Sequence, residues 1–157
     1  MKLSTKGRYA VMAMAEIALR KTDKPVSLAE IAASQNISQE YLEQLFAKLR
    51  RAGLVESTRG PGGGYRLARD PDEILIIDVI GAADEPFMVT RCADGDAVDG
   101  CQDGEACITH DLWSALRRQI AGFLSAVTLG DVVEKRNLAL AAEVRRAKAQ
   151  PMKVLRG

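Results

Sequence analysis

Cys92, Cys101, Cys107 and His110 fall within nineteen residues, and they are every cysteine and the only histidine of the chain. The stretch from Arg91 to His110 that holds them is acidic and rich in glycine. Three thiolates and an imidazole can complete the coordination of a zinc ion or of an iron–sulfur cluster. Spacing alone ranks the two equally. An odd number of cysteines makes a poor disulfide framework, so metal or redox chemistry is the better account of them. A histidine in place of a fourth cysteine has consequences if the centre is a cluster. Imidazole binds as a neutral ligand, which removes one negative charge and tends to raise the potential. It also competes with protons near its ordinary pKa of about 6.5, so such a cluster is easier to lose than one held by four thiolates.

These ligands need elements on either side to hold them. After them, Trp113, Leu116, Ile120, Phe123 and Val127 recur at spacings of three and four, with Leu124 alongside. That pattern predicts an amphipathic helix with a seam like that of a coiled coil. Little chain remains to cover it, so a twin helix from a second subunit is the expected partner. Thr128-Leu-Gly-Asp131 reads as a fresh helix start, and the residues beyond Ala147 carry no core-forming pattern.

Before the ligands, residues from Thr5 to Lys21 have apolar positions at Tyr9, Met12, Ala13, Ile17 and Ala18, close to helical spacing. Lys24-Pro25 ends that helix. Ser27-Leu-Ala-Glu30 is a capping-box pattern opening a short helix. Asn36-Ile37-Ser38 makes a turn with Ser38 as N-cap, and a second helix follows with Tyr41, Leu42, Leu45, Phe46 and Leu49 on one face. Gly53 stands where that helix would stop. Two short helices joined by a tight turn after a supporting helix are the elements of a helix-turn-helix.

The second helix leaves Gln39, Glu40, Glu43, Gln44 and Arg50 off its apolar face. Gln can pair with adenine, Glu can accept from the cytosine amine, and Arg can clamp guanine or phosphate. Leu54–Thr58 and Tyr65–Leu67 then read as two strands of a hairpin whose tip is Arg59-Gly-Pro-Gly-Gly-Gly64. Its glycines allow close approach, and Arg59 could enter a minor groove. A phosphate-cradling loop is excluded by the absence of Gly-Lys-Ser/Thr. Ile74–Ile77 leads into a short helical connector ending near Ala83.

Charge is segregated in the same order. Residues 1–70 carry 12 Lys/Arg against 7 Asp/Glu, residues 71–110 carry 1 against 10, and residues 111–157 carry 9 against 4. A basic head suits a phosphate backbone, whereas the acidic middle would be repelled by it. No apolar run approaches the length of a membrane span, and the N-terminus lacks the apolar stretch of a signal peptide, so the cytoplasm is the expected compartment. With the lone histidine placed among the thiols, no catalytic triad or paired-carboxylate motif stands out, which argues against an enzyme.

Together these residues resemble the Rrf2 family of winged helix-turn-helix transcriptional regulators, and within it the iron–sulfur cluster regulators. The resemblance runs from Met1 to about Glu134. It is carried by Leu3–Val11, Tyr41–Phe46, Arg59–Tyr65, Cys101–His110 and Thr128–Asp131. It implies a mostly α fold, a winged helix-turn-helix with a small β-hairpin wing and a long C-terminal dimerisation helix. It implies a homodimer with one 2Fe–2S cluster per subunit, on Cys92, Cys101, Cys107 and His110, supplied by the cluster-assembly machinery. It further implies binding to double-stranded promoter operators, base reading by the helix with Glu43 and Gln44, and Arg59 in the minor groove. The DNA-contacting set expected on this basis is Ser38, Glu40, Tyr41, Glu43, Gln44, Arg50, Arg59 and Gly60.

The role implied is repression of cluster-assembly genes when clusters are plentiful; a nitric-oxide- or iron-responsive repressor is the nearest alternative within the family, and a zinc-stabilised protein lies beyond it. The family pattern is departed from at the loop between Cys92 and Cys101, whose eight residues are more than in the members it most resembles. Glu40 adds a second carboxylate near the reading edge of Glu43. The division expected is a reader over residues 1–83, with the helix-turn-helix at 28–51 and the wing at 54–67. A ligand loop follows at 84–110, then a dimerisation region at 111–134 and a basic, flexible tail at 135–157.

Overall fold

The computed structural model describes residues 5–22, 24–83 and 107–149. Helix α1 (Thr5–Leu19) is followed by α2 (Leu28–Gln35) and α3 (Gln39–Arg51), and then by the hairpin of β1 (Val55–Thr58) and β2 (Gly64–Leu67). A 3-10 turn (Pro71–Glu73) leads to α4 (Ile76–Ala82), and the C-terminal half holds α5 (His110–Leu124), α6 (Leu129–Val133) and α7 (Leu138–Ala149). The fold is mostly helical with one two-stranded antiparallel sheet among the described residues.

Local sequence explains the helix ends. The Ser27 hydroxyl accepts from the Glu30 N–H while the Glu30 carboxylate accepts from the Ser27 N–H, which satisfies two of the free donors at the start of α2. Asn36 closes α2 in the left-handed region (φ 52°), and Ser38 opens α3 by accepting from the Tyr41 N–H at 3.3 Å. Gly53 (φ 69°) follows the end of α3 and turns the chain into β1.

The core is built from one face of each helix. Ala10, Ala13, Met14, Ile17 and Ala18 of α1 are buried against Ile31 of α2 and against Leu42, Leu45, Phe46 and Leu49 of α3. The inward face of α1 is therefore turned slightly from the expected one: Tyr9 and Met12 are only half-buried, and Ala10 and Met14 take their place. In a helix so rich in Ala and Met several faces are apolar, and only packing selects one.

The wing is joined to the helical body by backbone. Val26 N–H donates to Tyr65 O and Tyr65 N–H to Val26 O, both at 2.8 Å, so a single bridge residue before α2 pairs with β2. Gly64 sits against this pairing, where a Cβ would run into the carbonyl of Val26. That neighbour is main chain and cannot swing aside. Gly64→Ala should therefore destabilise the protein by about 1–3 kcal/mol, the usual cost of overpacking. Denaturant titration reads this directly, and a midpoint equal to that of the wild type would show that the wing does not need the close approach.

Two expectations are corrected by the C-terminal half. Val127 does not continue the seam of α5, which ends at Leu124. Ala126, Val127 and Leu129 are buried in the same core as α1 and α4. Ile76 N–H donates to Val127 O at 3.0 Å, and Leu129 N–H to Ile74 O at 2.8 Å. The expected flexible tail at 135–157 is also corrected in part, because residues 138–149 form α7. Arg145 donates to the Ala126 carbonyl at 3.1 Å, and Arg146 donates to the carbonyls of Gly122 and Gln119, both at 3.2 Å. Of these acceptors Gly122 is among the last four carbonyls of α5, which the helix itself leaves open, so Arg146 of α7 caps α5. The basic residues Arg145 and Arg146 of this segment thus hold α7 to the end of α5.

Candidate nucleic-acid interface and metal centre

Burial of Leu42, Leu45, Phe46 and Leu49 turns the opposite face of α3 outward. Ser38, Glu40, Glu43, Gln44 and Arg50 are exposed, and Tyr41 is half-buried, with its ring edge-on to Tyr9 at 5.8 Å between centroids. The Gln39 amide donates to the Glu43 carboxylate at 3.3 Å, which aims that carboxylate along the helix. At the other end Arg50 donates to the Ser57 hydroxyl of β1 at 3.3 Å, tying the end of α3 to the wing. Ser38 is engaged as the N-cap of α3, so its hydroxyl positions the helix as well as facing outward.

Arg59 and Gly60 are exposed at the hairpin tip, where Gly60 (φ 98°) and Gly62 (φ 74°) make the turn and Gly63 N–H donates to Gly60 O at 2.9 Å. Between α3 and the wing lies an open cleft of about 370 Å³, lined by Gln39, Arg50, Ser57 and Arg59 with Ser27 and Leu28 from the start of α2. Guanidiniums, hydroxyls and a helix N-terminus in one groove are donors suited to phosphate oxygens. Sequence reasoning passed over Ser57 and the start of α2, since neither looks unusual in a one-dimensional pattern. The signal was the hairpin register, which sets Ser57 opposite Tyr65.

The chain leaves α4 at Ala83, which is fully buried and lines a small cavity with Tyr41, Gln44, Leu45 and Lys48 of α3 and Lys6 of α1. It is described again from Cys107. Cys92 and Cys101 lie outside the described residues. The other two expected ligands come together on one turn, since His110 N–H donates to Cys107 O at 2.9 Å. His110 is buried as the first residue of α5, and Cys107 is half-buried just before it. A thiolate and a neutral imidazole on one turn are a donor pair that fits zinc or an iron–sulfur cluster. Around them, Thr109 contacts the Cys107 sulfur at 3.5 Å and accepts from the Trp113 indole at 3.1 Å, and Ser114 Oγ lies 3.4 Å from His110 Nε2.

Residues 3–135 match the Rrf2 family model, described as an iron-dependent transcriptional regulator. The chain is 53% identical over 133 residues to the HTH-type transcriptional regulator IscR of Aliivibrio salmonicida, covering 85% of this chain and 77% of that one. It is 48% identical over 143 residues to the IscR of Serratia proteamaculans, covering 91% and 85%. Among solved structures, the IscR of T. potens superposes with a TM-score of 0.67 at 37% identity over 88% of this chain and 90% of that one. The global cysteine regulator CymR of B. subtilis superposes with a TM-score of 0.71 at 35% identity over 87% and 99%. No helix among the described residues is long and apolar enough to cross a membrane. With an outward-facing reading helix, a wing beside it and relatives that regulate transcription, the chain belongs to the Rrf2 family and is a DNA-binding transcriptional regulator, not an enzyme.

Proposed function

We propose that this regulator gauges iron–sulfur cluster supply in the cytoplasm and mainly represses the genes of cluster assembly, acting as a homodimer with a 2Fe–2S cluster in each subunit. The observation that carries the proposal is the pairing of Cys107 and buried His110 at the first turn of α5, in a chain whose other two cysteines lie just upstream. Cys92, Cys101, Cys107 and His110 would hold the cluster, which would supply a centre that can be lost or gained with cluster supply. The cluster-assembly machinery would be its donor. The resemblance to regulators named IscR supports iron–sulfur over zinc.

The surface of α5 supports the dimer. Leu112 is 60% exposed and Trp113 36%, and Leu116, Ile120, Phe123 and Leu124 are only half-buried by the rest of the chain. An apolar stripe of this length left half-covered fits the same helix of a second copy.

Coupling follows from where the ligand segment begins and ends. One end is anchored at Ala83 beside α3, and the other enters α5 through His110. Engagement of four side chains in between would restrict the pose of α3 in each subunit relative to its twin. Ser38, Glu40, Tyr41, Glu43, Gln44 and Arg50 would then meet DNA from α3, with Arg59 and Gly60 from the wing. Differential DNA affinity is the linked consequence, and a coupling of about 1–3 kcal/mol corresponds to roughly 5–150-fold.

The proposal is tested on protein purified without oxygen, by iron and acid-labile sulfide analysis and by DNA binding of the loaded and stripped forms. Zinc in place of iron, or equal binding by both forms at every promoter, would sink it. The wing has a separate test. Arg59→Ala should weaken binding and, if Arg59 neutralises one phosphate, lower the salt-dependence slope by about one. Glu43→Ala should let the stripped protein occupy sites that it normally rejects, because a carboxylate facing anything but a donor is penalised. Unchanged site preference would remove Glu43 from the reading edge.

A further inference from the structure

We infer that the cleft between α3 and the wing seats one phosphate of the DNA backbone, taken by the Arg50 guanidinium and the Ser57 hydroxyl together. This rests on the reading above that Arg50 meets DNA. It adds Ser57 as a contact, and the backbone rather than a base as what the pair grips.

Charge along α3 separates two tasks. Glu40 and Glu43 lie in its first half, and Lys48, Arg50 and Arg51 in its last turn. A carboxylate is repelled by phosphate and approaches DNA favourably only where a base amine donates to it, so the first half must face base edges. The last turn has the opposite demand. Open carbonyls make the end of a helix partly negative, and a phosphate is stable there only beside a cation. Arg50 is exposed and supplies one.

The hairpin is divided in the same way. Its register sets Ser57 opposite Tyr65 and Glu56 opposite Arg66, and successive residues of a strand face opposite sides. On one side Glu56 and Arg66 pair at 2.7 Å, which neutralises both. The other side carries Ser57 and Tyr65 and forms a wall of the cleft. Among the described residues, the lining of that cleft includes two guanidiniums, Arg50 and Arg59, and no carboxylate. Two other polar side chains of the lining are already engaged. The Ser27 hydroxyl donates to Glu30 at 2.8 Å, and the Gln39 amide donates to Glu43 at 3.3 Å. An anion is therefore drawn to the side of Arg50 and Ser57.

Hydrogen-bond direction makes these two a pair. Arg50 Nη1 donates to Ser57 Oγ at 3.3 Å, which holds the guanidinium against the wing and uses one of its several N–H groups. Ser57 is the acceptor there, so its own O–H proton is left to give. An anion between them takes a charged N–H from the helix and a hydroxyl from the hairpin. A phosphodiester oxygen has the charge and the lone pairs for both. The reading helix and the wing then close on the same phosphate, which sets how both enter their grooves without selecting any base.

The test uses the full-length protein and two probes: a duplex that the wild type selects from a random pool, and an unselected duplex of equal length. Arg50→Ala should weaken binding to both by the same factor, roughly 10–100-fold, and lower the salt-dependence slope by about one per bound subunit. Ser57→Ala should weaken both roughly 10-fold with the slope unchanged, since a hydroxyl neutralises no charge. Ser57→Thr, which keeps the hydroxyl, should restore binding. Single methylphosphonates, which are neutral, would then be placed along the selected duplex. At one position per bound subunit the substitution should weaken the wild type and cause no further loss in Arg50→Ala or Ser57→Ala. Wild-type affinity in Ser57→Ala, a loss confined to the selected duplex, or different methylphosphonate positions for the two variants overturns this inference and leaves Arg50 as a DNA contact. Wild-type binding of both duplexes by Arg50→Ala removes Arg50 from the interface and overturns both readings.

Discussion

Cys107→Ala is expected to purify colourless and without iron, and to lose roughly 5–150-fold in affinity at the operators that require the loaded form. Alanine there removes one of the chain's three thiols. His110 sits one turn away, and Ser114 and Thr109 offer only hydroxyls. The fold should survive, because Cys107 is half-buried at the mouth of α5 and contributes little to the core. Circular dichroism unchanged from the wild type would separate loss of the centre from loss of the protein. Retained colour with full iron content would show that the ligands have been misassigned.

A second large effect lies far from the ligands. Asp131→Ala should cost about 3 kcal/mol and lower Tm by roughly 6–12 °C. The Asp131 carboxylate is 1% exposed and is met by Arg145 and Arg136, the latter at 3.0 Å. The Thr128 N–H donates to it at 3.0 Å, and the Asp131 N–H returns a bond to the Thr128 hydroxyl at 3.1 Å, a capping box at the start of α6. Arg136 reaches on to Asp72 at 2.7 Å, so one buried carboxylate joins α6, α7 and the turn after the wing. Removing it takes from Arg145 its carboxylate, while Arg136 keeps Asp72 and Glu134. Both are about one-third exposed, at 34% and 35%, so water recovers part of the loss and the lower end of the range for broken buried pairs applies.

The same carboxylate gives a pH signature. Burial acts to raise its pKa, but the Arg145 guanidinium, the Thr128 N–H and Arg136 outweigh it and hold the carboxyl well below the usual range. A group with a depressed folded pKa stabilises fully above its unfolded value of about 3.9 and loses that contribution as pH falls through the folded one. The stability gap between wild type and Asp131→Asn should therefore be widest near neutrality and narrow only below about pH 4. A gap that does not change with pH would mean that Asp131 acts through packing alone.

Much of this protein was determined locally, and those parts are legible in the chain. Ser27 with Glu30, Ser38, Asn36 and Gly53 set helix ends because a cap is an interaction between residues a few positions apart. Leu42, Leu45, Phe46 and Leu49 choose the inward face of α3 by spacing, and so turn Glu43 and Gln44 outward. The Cys107-x-x-His110 pair is legible for the same reason, since one turn brings its members together.

What tertiary structure alone decided involves residues distant in the chain. Ile74 and Leu129 meet through the backbone although 55 positions separate them, and no periodicity marks Val127 as core rather than seam. Arg145 and Arg136 read as surface charge until a buried Asp131 stands opposite them. Ser114 reads as an ordinary helical serine until the imbedded ring of His110 faces it. Local patterns encode where helices begin and which side turns inward, whereas the partner of a charge or hydroxyl depends on which segments the folded core brings into contact.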